Sequence, residues 1–363
     1  MPARLTRRHV LGSAAATATL IGLGARVGAQ EPVRAGFVYA GPIGDHGFTY
    51  RHDVGRQDLE AALGDQVETT YVENVSEGPD AERVIRQLAS AGNHIVFTTS
   101  FGFMNPTVRV AQQFPDVKFE HCTGYKTAEN LAVYNARFYE GRTVIGHIAG
   151  RMSETGTVGY IASFPIPEVI MGINAFFLAA RKVNPDLRVR IVWVNTWYDP
   201  GKEADAAKTL IDQGADIIVQ HTDSPAALQV AEERGVWAFG QASDMSKFAP
   251  NAQLTAIVDN WGPYYIERVE AVRDGTWRSH NIWHGLKEGM VEIAPYGPAV
   301  PADVAEEADA IKNAIIAGEL HPFTGPIYNQ AGDLVLPEGE TMADEDILRM
   351  DYYVQGIEGS LPT

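Results

Sequence analysis

One cysteine in 363 residues, Cys122, has nothing to pair with inside the chain. The fold therefore has no internal disulfide and rests on the burial of apolar side chains. Cys122 also lies too far from the start to be the lipid-bearing first residue of a processed chain. Metal-ligand spacing is missing as well: His46, His94, His121 and His221 fall in no HExxH or CxxC pattern, and no metal is expected. The chain has no Gly-x-Ser-x-Gly elbow, no P-loop and no GxGxxG. The loop Gly41 to Gly47 is glycine-rich but holds neither the Lys nor the Ser/Thr that a nucleotide phosphate requires, so no nucleotide cofactor is expected.

Positive charge is in short supply. Lys and Arg number 29 against 46 Asp and Glu, a net charge of −17. Such a surface repels nucleic acid and anionic membranes, which excludes both as partners. Arginine is also scarce where the apolar runs end, which argues against a phosphorylated or strongly acidic ligand.

The N-terminal segment reads as an export signal. Thr6-Arg7-Arg8-His9-Val10-Leu11 is a twin-arginine pattern, an apolar stretch follows from Val10 to Leu23, and Val27-Gly28-Ala29 offers a small-residue cleavage site. The stretch is shorter than the roughly 20 apolar residues of a spanning helix. Residues 1–29 are assigned to a twin-arginine signal peptide, and the processed chain is expected to begin near Gln30. That cleavage removes Arg4, Arg7, Arg8 and Arg26 and no acid, so 29 − 4 leaves 25 cations against 46 carboxylates, a net charge of −21.

What the remainder does have is a repeat. Gln87-Leu88-Ala89-Ser90-Ala91-Gly92-Asn93-His94-Ile95-Val96-Phe97 is echoed 122 positions later by Thr209-Leu210-Ile211-Asp212-Gln213-Gly214-Ala215-Asp216-Ile217-Ile218-Val219. Val67 to Val72 is matched by Val189 to Val194, and Val33 to Tyr39 by Gly156 to Ile161. Apolar runs at 33–40, 67–73, 94–100 and 117–122 predict four strands, and runs at 156–164, 189–195, 215–221 and 236–240 predict four more. Helical patterns fall between them at 51–63, 79–91, 167–183, 200–213 and 225–234. Alternating β and α units make a doubly wound parallel sheet, so the chain is expected to form two such lobes with a cleft between them. After residue 260 the repeat breaks down into a helix from Pro263 to Arg273, a strand-like 289–293 and a helix from Pro301 to Gly318. The expected division is residues 30–136 plus 261–282 for lobe 1 and 137–260 plus 283–320 for lobe 2. Residues 321–363 are read as a tail packed across both.

Ligands of such sheets bind at the carboxyl ends of the strands. Those ends deliver Asp45, Phe48 and Thr49 after the first run, Phe101 after the third, and Phe164, Trp197, Asp223 and Asp244 in the second lobe. Aromatics alternating with Asp, Asn, Gln and Ser suit a planar, polar, uncharged or cationic small molecule. Phe101 and Phe164 fit core closure as well as ligand contact. Asp45, Asp223 and Asp244 each fit a helix cap as well, with Asp223 followed by Ser224-Pro225 the clearest of the three. Trp197 lies in a loop that offers it no helix or strand face, which favours ligand contact.

Several short motifs together resemble the basic membrane protein family of ABC-transporter substrate-binding proteins. They are Asp45-x-x-Phe48, Phe114-Pro115-Asp116-Val117-Lys118-Phe119, Phe138-Tyr139-Glu140-Gly141-Arg142, Asp199-Pro200-Gly201-Lys202-Glu203 and His284-Gly285-Leu286-Lys287-Glu288-Gly289. The resemblance implies a type I periplasmic-binding fold with two hinged lobes, a ligand between them, and a membrane permease with its ATPase as partners. It also implies a purine or purine-nucleoside ligand, with Asp45 and Phe48 at the family's carboxylate and stacking positions and Lys287 among the ligand-binding residues. Thr49 stands where nucleoside binders carry Asn, and Gly240-Gln241-Ala242-Ser243-Asp244 departs from their Gly-x-Asp pattern. The resulting expectation is a soluble periplasmic receptor, not an enzyme, for a purine, a free base such as adenine ahead of a nucleoside. Phe48 and Trp197 would stack on the ring, and Asp223 or Asp244 would accept its N–H groups. Two alternatives stay open: an exported hydrolase such as a nucleosidase using Asp45 and His46, and a sugar receptor of the same fold.

Overall fold

A computed structural model describes residues 31–362; the leader assigned to residues 1–29 lies outside them. In the first lobe, strands β1 (Val33–Val38), β2 (Val67–Val72), β3 (Ile95–Thr98), β4 (Lys118–Cys122) and β5 (Leu131–Ala136) alternate with helices α1 (Gly47–Leu63), α2 (Pro79–Ser90) and α3 (Met104–Ala111). Helix α4 (Phe138–Met152) carries the chain into the second lobe. There β6 (Thr157–Ala162), α5 (Pro167–Val183), β7 (Arg188–Trp193), α6 (Pro200–Asp212), β8 (Ile217–Gln220), α7 (Ala226–Arg234), β9 (Trp237–Gly240) and β10 (Gln253–Asp259) follow in turn. Helix α8 (Gly262–Arg273) and strand β11 (Asn281–His284) return to the first lobe, and β12 (Val291–Ile293) and α9 (Ala302–Ala317) to the second.

The two sheets have the same order, β11-β5-β4-β3-β1-β2 and β12-β10-β9-β8-β6-β7. All pairings are parallel except that of β12 with β10. The α/β expectation of two doubly wound lobes is borne out, and β3 and β8 begin 122 positions apart, at the repeat's own offset. Strands β5 and β10 escaped the sequence reading. Each follows its predecessor without an intervening helix, so the alternation that revealed the others skips them.

The periodic apolar positions close the cores. Every residue of β5 and β6 is buried, as expected of strands covered on both faces. Helices α4 and α5 pack closely because Gly146 has no side chain: a Cβ there would stand 2.4 Å from the Phe176 carbonyl oxygen. The tail adds a hairpin of β13 (Ile327–Tyr328) and β14 (Leu334–Leu336) and a short helix α10 (Asp344–Ile347). It is anchored on the second lobe. Asn174 of α5 donates to the Tyr352 carbonyl at 2.8 Å and accepts from the Val354 amide at 3.1 Å, while the Trp193 indole donates to the Tyr353 hydroxyl at 3.0 Å. At the start of α4, Arg137 makes a bidentate pair with Asp344. Among the described residues no helix is long and apolar enough to cross a membrane.

Candidate functional site

Both sheets end their strands toward one cleft, and a cavity of about 390 Å³ fills it. From the first lobe come Phe48 and Thr49 on the first turn of α1, the loop Asn74 to Glu77 after β2, and Thr99 to Phe101 after β3. The second lobe supplies Phe138 and Glu168 from the N-terminal turns of α4 and α5, with Phe164, Trp197, Tyr198, His221, Asp223 and Gln241 from the loops after its strands.

The lobes touch directly beside this cavity. Helix α1 has no side-chain cap of its own, and its free amides are met from across the cleft. Gly47 donates to Ser243 Oγ at 2.8 Å and Phe48 to Asp223 Oδ1 at 3.1 Å. A helix N-terminus favours such a carboxylate. Gly47 is required for this approach: its φ is +81°, and a Cβ would lie 2.8 Å from the Asp223 carbonyl oxygen. Lower down α1, Arg51 Nε donates to the Asp259 carbonyl oxygen at 2.5 Å. At the cleft edge Lys247 Nζ reaches Asp45 Oδ2 at 2.5 Å, and the His46 ring packs against Tyr198 and Phe248. These contacts start α1 at Gly47, four residues before the periodicity predicts it, because the other lobe supplies the missing cap.

The polar groups of the cavity and its floor are left short of partners. Buried His221 Nδ1, Thr222 Oγ1, Gln220 Oε1, both carboxylate oxygens of Asp259, and Nε and Nη1 of Arg142 have no hydrogen-bond partner among the described residues. Burial pushes the Glu168 and Asp223 carboxyls up to about 7 each. The nearby Arg142 charge offsets part of the rise at Glu168, and the Phe48 amide offsets part of it at Asp223. Burial likewise drives His221 well below its ordinary range, and Arg142 adds to the effect. Displaced titrations cluster in functional clefts, and ion-pair networks of the fold displace them too.

The structure brings Phe48, Thr49, Phe101, Phe164, Trp197 and Asp223 to one cavity. The Trp197 ring lies 5.1 Å from that of Phe164, tilted by 58°. Asp223 does not cap its own helix; the cap position of α7 is Pro225 and has no side-chain bond. Asp45, Asp244 and Lys287 stand outside the cavity. Asp45 is exposed and held by Lys247, Asp244 accepts from the Ser246 amide at 2.9 Å and Gln253 Nε2 at 2.8 Å, and Lys287 is exposed. Glu77, Phe138, Glu168 and His221 line the cavity without having been read as ligand contacts. Two of them open helices at the edge where the strands end, a signal available from the strand-helix order alone.

Two lobes of one topology meeting over a ligand-sized cleft define a fold of the periplasmic-binding type. The fold matches the solute-binding protein of an ABC transporter system from Conexibacter woesei at a TM-score of 0.67, with 23% identity over 80% of this chain and 98% of that one. It also matches one from Aeropyrum pernix at 0.69, with 18% identity over 80% and 93%. Residues 32–322 fit the family described as ABC transporter substrate-binding protein, PnrA-like, and the chain belongs to that family. The resemblance read from its motifs is thereby borne out. A purine-binding protein of Brucella abortus is 61% identical over 94% of this chain and 97% of its own. A putative ABC transporter glucose-binding protein of Haloferax volcanii is 38% identical over 92% of this chain and 82% of its own.

Proposed function

We propose that this substrate-binding protein is a periplasmic receptor for a purine, with a free base ahead of a nucleoside, which it hands to an ABC permease after export by the twin-arginine route. The observation that carries the reading is the composition of the cleft: aromatic side chains Phe48, Phe101, Phe164 and Trp197 around three carboxyls, Asp223, Glu168 and Glu77, in one cavity. Aromatic faces take a planar ring, and carboxyls take its N–H edge. The 61% identical relative carries the name of a purine-binding protein, which supports the same ligand class. Asp223 has a double part. One oxygen holds the Phe48 amide of the opposite lobe, so a ligand N–H bonded to this carboxyl is coupled to lobe closure.

A sugar is the second reading, supported by the name of the 38% identical relative and by a Trp beside carboxylates, which also suits a pyranose ring. The hydrolase alternative has less support: Asp45 and His46 do pair at 2.9 Å, but Asp45 faces solvent and Lys247 and does not line the cavity. The test is mass spectrometry of small molecules released on denaturing the purified protein, followed by calorimetric titration with adenine, guanosine and glucose. A stoichiometric purine and heat from adenine are expected. Heat from glucose alone, or product accumulating with time, would replace the reading.

A further inference from the structure

Beside the main cavity lies a second, of about 340 Å³. The two share Phe101, Thr123, Phe138 and Glu168 as common lining residues, so they adjoin. Their chemistry differs. The walls of the second are mainly Tyr125, Ile166, Met171, Trp283 and Leu348, and two of its polar side chains, those of Asn135 and Trp283, bond to backbone carbonyls. Asn135 Nδ2 donates to the Gly124 carbonyl at 3.1 Å, and the Trp283 indole donates to the Ala136 carbonyl at 3.0 Å. The outer rim comes from the tail, through Glu345, Leu348 and Arg349 around α10, which the Arg137–Asp344 pair fixes in place. Among the described residues Glu168 is the one carboxyl that lines both spaces.

We propose that this side cavity is a second subsite, which takes an apolar group carried on the exocyclic nitrogen of a purine held in the main cavity. The inference rests on the purine reading above and specifies its ligand class. A purine with a substituted amine keeps one N–H at the point where ring and substituent join. Glu168 stands at the junction of the two cavities and accepts that N–H, while Phe101 and Phe138 flank the passage. A ribose is a poorer occupant of the side cavity, because away from Glu168 and the rim residues Glu345 and Arg349 its hydroxyls would lose water against carbon walls.

Calorimetric titration of the protein with adenine, 6-benzylaminopurine and adenosine tests the inference. The expected result is that the benzyl compound binds within about tenfold of adenine or tighter. In Leu348→Trp, which fills the rim from a position 36% exposed, it then loses at least about tenfold while adenine is unchanged, the scale for an apolar group denied its pocket. Tyr125→Ala, at an exposed wall position, gives a smaller loss for the benzyl compound alone and serves should the tryptophan variant not fold. Adenine binding without the benzyl compound would overturn the subsite, as would equal loss of both ligands in the variants. Adenosine bound tightly and lost in Leu348→Trp would assign the space to a sugar instead. Failure of all three ligands would sink the purine reading itself, and the subsite with it.

Discussion

Two sets of buried carboxylates sit some strands apart in this protein and are treated in opposite ways. Under the first lobe, Glu120 is fully buried and saturated: Arg268 Nε lies 2.6 Å away, the Trp277 indole 2.7 Å and the Tyr264 hydroxyl 2.6 Å. Next to the cleft but outside the cavity lining, Asp259 is equally buried, and neither oxygen has a hydrogen-bond partner among the described residues. Asp223, in the lining itself, has one amide partner, Phe48. In both sets burial outweighs every favourable neighbour and raises the carboxyl pKa. The difference lies in the hydrogen bonds. A saturated network orders the fold and ties α8 to β4, whereas an unsaturated one costs stability and is kept where something else supplies the partners.

That contrast is broken most easily at Glu120. Glu120→Ala strands Arg268 without its counter-charge, and is expected to cost about 3–5 kcal/mol in urea unfolding with ligand affinity of the folded protein unchanged. A loss below about 1 kcal/mol would mean that the network is not structural. Trp197→Ala, at the other pole, should weaken adenine binding by about 1–3 kcal/mol, roughly fivefold to 150-fold in Kd, with little change in unfolding midpoint. Unchanged affinity would remove Trp197 from the site.

The pH dependence sharpens the comparison further. A carboxyl whose folded pKa is raised binds more protons folded than unfolded, so its contribution to stability falls as pH rises from the unfolded value to the folded one. For Asp223 that window runs from about 4 to about 7. Asp223→Asn is therefore expected to gain in melting temperature relative to the native protein as pH climbs through the window in ligand-free samples. A constant difference across the window would show that its carboxyl is not displaced. The smallest effect is at the edge of the cleft. Lys247→Ala, which removes the exposed pair with Asp45, should lower affinity only about twofold to fivefold and less so at high salt.

How much of this was legible beforehand follows from the same distinction. Strand and helix periodicities are local, so β3 and β8 were placed to within a residue or two and α5 at its full extent. The cleft faces of both lobes were legible too, because parallel strands end there and Phe48, Phe164, Trp197 and Asp223 follow those ends. Contacts between lobes were not. Nothing near Asp45 announces Lys247, 202 positions away, and nothing near Gly47 announces Ser243, yet these pairs take Asp45 out of the cavity and set where α1 begins. Glu168 and Phe138 were missed because only residues of the loops after the strands were read as cleft wall, although the first turns of the helices that follow reach the same edge.

The most direct test of the central claim, that the unsaturated cleft carboxyls are kept for a ligand and the saturated one for the fold, is a paired calorimetric titration of adenine into the native protein and Asp223→Asn at neutral pH. The account predicts binding at least about tenfold weaker in the variant, together with a ligand-free melting temperature equal to or above the native one. Equal affinity in the two proteins, or a variant that binds normally but melts lower, would contradict it.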